Sequence, residues 1–213
     1  MTSPITSALT RPFTYPLTDT LGAIMGEGSV PVVPIFGPDQ PAYIRPTAQG
    51  DGSGLDYDNA GSLSALPDFL HLSAPGTTVY IIADDGDYTV DSGLNALLLD
   101  GGGSAENPVT IAGVDSDLDP MKPTFRSTRR DPSEWLSLGK PTRATTSLSV
   151  SGYDVFMLAG GLHDVVFTDL DFESVGCCFN PLGDLARVTL QHITFSNVFS
   201  FFTNDLDNLG AFR

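Results

Sequence analysis

The chain has 213 residues, of which 41% are hydrophobic and 17% charged, and its ten Lys and Arg against 26 Asp and Glu leave a formal net charge of −16. A surface that acidic repels phosphate backbones and anionic lipid headgroups, which sets nucleic-acid and membrane-surface binding aside. Glycine (22) and proline (16) are plentiful, so the composition points to many turns, few helices and a β-rich protein.

Residues 1–40 are rich in Pro, Thr and Ser. The opening "MTSPITSALTRPFTYPL" has no apolar core and carries Arg11 in its middle, so it is not a secretory signal. No apolar run approaches the ~20 residues of a membrane span. A protein with such a start that works outside a cell leaves by another route, and assembly into a virus particle released by lysis is one. "SVPVVPIFGPDQP" has proline too often for a helix or a central strand. Phe13, Tyr15, Leu17, Ile24, Val32 and Phe36 make the segment too apolar for a solvated tail. The expectation is an extended docking arm over 1–40, with a disordered segment as the alternative.

Residues 41–76 read as a cap region. Gly and Asp turns come first. Leu63, Leu66, Phe69 and Leu70 then recur at helical spacing, with Asp58 or Asn59 available as N-cap. Pro67 predicts a short or broken helix, and Ala74-Pro75-Gly76 ends it. From Thr77 onward come short β-like runs divided by turns: "TTVYII", "ALLLDG", "PVTIAGV", "PTFRS", "SLSVSG", "VFMLAG", "DVVFTDLDF" and "VTLQHITF".

Two of these stretches decide the architecture. "DVVFTDLDFESV" (164–175) and "RVTLQHITFSNV" (187–198) align at a constant offset of 23, which matches Val165, Phe167, Leu170, Phe172 and Val175 to Val188, Leu190, Ile193, Phe195 and Val198. The same offset joins Phe156 to Phe179, Phe179 to Phe202 and Gly160 to Gly183. A repeat of this length in strand-like sequence predicts a parallel solenoid, whose equivalent residues stack ~4.8 Å apart. Inward positions stay apolar, whereas outward ones need only be soluble. The stretch from Thr77 to Arg213 then makes about six coils, roughly 29 Å tall at that spacing. Val79 aligns with Val109, a longer step than one repeat, so the early coils carry inserted loops. The helix near Leu63–Leu70 is the natural cap of the first coil. "NLGAFR" stops in mid-coil, which expects either further coils or another chain over that end.

Several side-chain groups could carry chemistry. Cys177 and Cys178 are adjacent, a spacing that rarely forms a disulfide; the expectation is one core thiol and one at a turn. Asp115, Asp117 and Asp119 resemble the opening of a calcium loop, but the glycine and glutamate of an EF-hand are missing, and a solvated acidic turn is the favoured reading. No other cofactor is expected. "DGGGSAENP" lacks the P-loop pattern and reads as a turn. Asp169 and His192 are one repeat apart and so stack, an acid/base pair in principle, although turn positions more often satisfy backbone groups. Asp171 and Glu173 lie on one outward face, roughly 7 Å apart at the Cα level; exposed alternating acids are common there. His163 has no obvious partner.

"GDGSG", "APGTTVYI", the Gly86–Tyr88 turn, "NPVTIAGVD" and "LSVSGYDVFMLAGGLHDVVFTDLDF" occur in an order that resembles the N-terminal half of right-handed parallel β-helix proteins, over residues 48–213. These include pectate-lyase-like and chondroitinase-like enzymes and the spikes of tailed bacteriophages. The resemblance implies an all-β, right-handed parallel β-helix with an N-terminal capping helix. Its phage members imply a homotrimer with a virion-binding N-terminal region, which suits the arm. Its lyases imply an Arg or Lys base, often with calcium. From Ser147 onward the only basic side chains are Arg187 and Arg213, with Arg126, Arg129, Arg130 and Arg143 in an irregular insertion, which argues against lyase chemistry.

The expectation is therefore an extracellular, virion-associated spike or fibre. It docks to other virion proteins through residues 1–40, contacts host polysaccharide and has no assigned catalytic residue. The alternatives are a polysaccharide-degrading lyase or glycosidase, with its site mostly outside this segment, and a non-viral β-helix adhesin.

Overall fold

The computed structural model describes residues 35–90, 97–126, 154–198 and 200–202. These are dominated by strands, and the only helix longer than a single turn among them is α1 (Leu66–His71). The named strands pair in parallel and form three sheets. The first holds β1 (Ala42–Arg45), β2 (Gly61–Ser62), β3 (Thr78–Ile82), β6 (Val109–Val114), β9 (His163–Thr168) and β12 (Ala186–Gln191), ordered β12-β9-β6-β3-β1-β2. The second is β13 (Thr194–Ser196), β10 (Asp171–Glu173), β7 (Thr124–Arg126) and β4 (Tyr88–Thr89), in that order. The third is β14 (Ser200–Phe202), β11 (Cys177–Pro181), β8 (Asp154–Leu158) and β5 (Leu97–Leu99). From β3 onward the chain visits the three sheets in turn and lays each strand beside its counterpart in the previous circuit.

The repeat read from the sequence is present in the pairing: Val165 lies beside Val188, Phe167 beside Leu190, Phe172 beside Phe195, and Phe156 beside Phe179, itself beside Phe202. The expected six coils become four circuits between Thr78 and Phe202. Val79 pairs with Ile111 rather than with Val109, and Ile111 in turn pairs with Phe167. Both steps along the chain exceed one repeat, the second more than the first. The early circuits thus spend their extra residues in connections, not in additional layers.

The corners follow one rule. Asp164, Asp169 and Ser174 have φ of 51°, 56° and 55°, and their equivalents one repeat later, Arg187, His192 and Asn197, have 54°, 51° and 52°. A residue in the left-handed region turns the chain sharply between two extended segments. Asp, Asn and His tolerate it better than most residues. Ser174 and Arg187 are the exceptions, and the carboxylate beneath Arg187, described below, helps hold it there.

Inward side chains form one core. Tyr88, Phe125, Phe156, Phe167, Phe172 and Phe179 are all buried, with Phe125 stacked on Phe172 at 5.3 Å and Phe156 edge-on to Phe172 at 6.0 Å. Such ring pairs add roughly 0.5–1.5 kcal/mol beyond their area burial. The buried Tyr88 hydroxyl lies 2.9 Å from the carbonyls of both Ile44 and Ile82, tying β1 and β3 to the ring stack. Cys177 and Cys178 are both buried and not joined in a disulfide, so neither occupies an exposed turn. Cys178 faces the core, while Cys177, flanked by β8 and β14 in its sheet, directs its thiol to the Phe179 carbonyl at 3.1 Å.

The start of the stack is covered. Leu66, Phe69 and Leu70 bury one face of α1, which packs against β5, the edge strand of the third sheet. Pro67 sits in the first turn, where its missing N–H costs nothing. The helix follows a 3₁₀ turn at Leu63–Ala65 and has Ala65 as its N-cap; neither Asp58 nor Asn59 serves, and Asp56 instead caps a separate turn at Tyr57–Asn59. Phe36 also belongs to this layer, buried 5.0 Å from Phe69, while residues 1–34 of the expected arm lie outside the described residues. In the last circuit, by contrast, Val188, Leu190, Ile193 and Val198 are only partly buried.

Candidate functional site

The corners that turn the chain also juxtapose side chains from successive circuits. Asp169 and His192 meet as their spacing predicts, with His192 Nδ1 3.2 Å from Asp169 Oδ1. The other Asp169 oxygen accepts from the Thr168 hydroxyl at 2.7 Å. His192 is well exposed, and the contact reads as a clasp between corners. Asp171 and Glu173 are bracketed within the outward face of the second sheet. Asp171 accepts from Thr194 Oγ1 and, at 3.5 Å, from Thr124 Oγ1. Glu173 pairs with Arg126, which also reaches Asp87 at 3.1 Å. Each acid is neutralised or satisfied by neighbouring strands, and this geometry does not set them up as a catalytic pair.

The Asp115-Asp117-Asp119 turn satisfies itself. Asp115 Oδ1 accepts from the backbone N–H of Asp117 at 3.0 Å and of Asp119 at 2.9 Å. These two bonds make the Asp115 carboxylate the brace of a tight turn. Among the described residues no group of three or more His, Cys, Asp and Glu is placed to hold a metal. Arg129, Arg130 and Arg143 lie outside the described residues.

A different corner carries the most developed site. At the passage from the third sheet to the first, residues 103–105, 160–164, Asp184, Ala186 and Arg187 line an open cleft of about 600 Å³. Its anchor is Asp164, a charged residue only 3% exposed. Arg187, one circuit later, grips this carboxylate with both arms of its fork: Nε on Oδ1, and Nη2 on Oδ2 at 2.7 Å. His163 Nδ1 lies 3.0 Å from Asp164 Oδ2. A carboxylate there requires the proton on Nδ1, so neutral His163 turns an unprotonated Nε2 outward. The Arg187 and His163 side chains are 62% and 44% exposed, so one buried carboxylate orients two accessible groups.

The Arg187 hydrogen bonds are the main reason that Asp164 is held down at about 2, against an ordinary 3.8, with His163 assisting and burial opposing. Because the folded value is depressed, this carboxylate stabilises the fold fully above the ordinary value and ceases to do so as pH falls through about 2. Arg187→Ala removes the principal cause. Its melting temperature should therefore lie below that of the native protein by a constant gap above about pH 4, and the gap should close as pH falls toward 2. Thermal melts between pH 2 and 7 measure this; a gap that ignores pH would mean that Arg187 acts through packing alone.

From the sequence, His163 has no obvious partner and Arg187 is a lone base in the regular repeat. The readable signal was the offset: Asp164 and Arg187 are 23 apart, as are Asp169 and His192. No protein-family profile, characterised protein or solved structure matches the chain.

Proposed function

We propose that this chain is a virion-associated right-handed parallel β-helix protein, a spike or fibre of the tailed-bacteriophage kind. In this reading the segment ahead of Ile35 docks to other virion proteins, three chains assemble, and the sheet stack presents corners and loops to a host surface polysaccharide. The observation that supports it most is the repeating circuit itself, in which three parallel sheets share one core and the extra length of the early circuits is spent in connections. That is an economical way to build a rigid rod with variable decorations. The −16 charge fits a carbohydrate partner better than nucleic acid or an anionic membrane. Among the described residues no helix is long and apolar enough to cross a membrane.

The test is sedimentation equilibrium of the purified chain, whose mass is 22.5 kDa. A particle three times that mass is expected; a stable monomer at micromolar concentration would overturn the trimeric spike. A second reading, a polysaccharide-degrading enzyme, is favoured by one observation: the cleft holds an imidazole oriented by a buried carboxylate, with a guanidinium beside it. Release of new reducing ends or unsaturated uronates from a bacterial polysaccharide would favour that reading over binding alone.

A further inference from the structure

We propose that the cleft between residues 103–105, 160–164 and 184–187 is a subsite for an uncharged pyranose unit, contacted by His163 and Arg187 and positioned by Asp164; the proposal rests on the glycan-contact reading above. The charges in the lining select the class. Arg187 is already matched by Asp164, and Asp184 adds a further carboxylate, so an anionic sugar entering the cleft meets no surplus of positive charge. Hydroxyls fit better. The fork of Arg187 spends Nε and one Nη2 proton on Asp164, which leaves its outer N–H groups as donors. His163 Nε2 and the Asp184 carboxylate are acceptors. A sugar hydroxyl donates and accepts at once, so it can bridge such a mixed set. Ala105 and Ala186 supply apolar surface for the C–H face of the ring, and Gly160 and Gly161 let the ligand approach the backbone. The volume of about 600 Å³ falls within the range of small-ligand sites.

Asp164 is a positioning residue: buried, it touches the ligand only through the two groups it holds. The arrangement limits conformational loss on binding, because the guanidinium is fixed by two hydrogen bonds and the imidazole by one before any ligand arrives.

The experiment uses an array of purified bacterial surface polysaccharides, half neutral and half uronate-bearing, probed with the native chain and three variants. Gly160→Trp introduces an indole at the cleft lining, where a Cβ meets no heavy atom closer than 3.6 Å. His163→Ala removes one contact and leaves the Asp164–Arg187 pair intact. His192→Ala removes the exposed imidazole of the other corner and serves as control. Circular dichroism and melting temperature verify folding of each, and His163→Ala keeps the test decisive if the tryptophan variant does not fold. The expected result is binding to one or more neutral polysaccharides, weakened at least tenfold by Gly160→Trp and His163→Ala and unchanged by His192→Ala. Equal binding by all four proteins would overturn the cleft while the glycan reading stands. Binding confined to uronate-bearing polymers would overturn the charge argument. Binding to nothing on the array would overturn both the subsite and the glycan reading.

Discussion

Phe172→Ala should lower the free energy of unfolding by roughly 3–5 kcal/mol, whereas Phe195→Ala, one repeat later, should cost only about 1 kcal/mol. The two residues occupy the same place in successive circuits and sit side by side in the second sheet. Phe172 is fully buried, stacked on Phe125 and edge-on to Phe156 and Phe179. Removing its ring loses the transfer energy and leaves a cavity that three other rings cannot collapse to fill. Phe195 is 53% exposed, so its removal forfeits about half of a phenylalanine's burial and opens no cavity. Urea unfolding of both variants gives the comparison. A Phe195→Ala cost as large as that of Phe172→Ala would mean that the last circuit is covered in solution, by association of chains for instance, and repeating the melt at tenfold dilution would reveal that source.

Gly102→Ala should be comparably damaging, at about 3 kcal/mol or more, although it adds a single methyl group. Gly102 has φ +140° and bridges to His163, and a Cβ on it would fall 1.7 Å from the His163 carbonyl oxygen. The neighbouring Gly101 separates the two causes. Its φ is +87°, but a Cβ there would meet nothing within 4 Å, so Gly101→Ala should carry only the left-handed penalty of about 1–2 kcal/mol. Denaturant melts of the two alanine variants measure the difference. Equal costs would show that the backbones of the glycine turn and β9 do not approach as closely as described.

Much of the fold could be read from the letters. The inward residues of the third and fourth circuits had to remain apolar, so Val165, Phe167 and Phe172 announced their partners at a fixed distance. The partner expected for Val79 was Val109, and the observed one is Ile111, the next residue on the same face of β6. A strand alternates with period two, so such a slip keeps every side chain on its own face, and hydrophobic pattern cannot detect it. The cleft was less legible for a different reason. Corner residues carry no apolar signal, and nothing in an arginine predicts a left-handed backbone. Asp164 and Arg187 are joined by the same offset as Asp169 and His192, but the bond between them depends on the left-handed backbone at both residues. At the Asp115 turn the favoured reading was a solvated acidic turn, and the Asp115 carboxylate braces that turn through two backbone N–H groups.

The unequal circuit lengths have a consequence for engineering. Between β3 and β6 the chain is longer than one repeat, and between β6 and β9 it is longer still, yet Val79, Ile111 and Phe167 remain in adjoining register. Cohesion is supplied by neighbouring layers and corners, not by the length of the chain that joins them. Doubling the length of a flexible connection costs only about 0.6 kcal/mol in closure entropy. Chain added between β6 and β9 is therefore tolerated without loss of register. Foreign peptides or whole binding modules exchanged there would be displayed from a support whose internal addresses do not change.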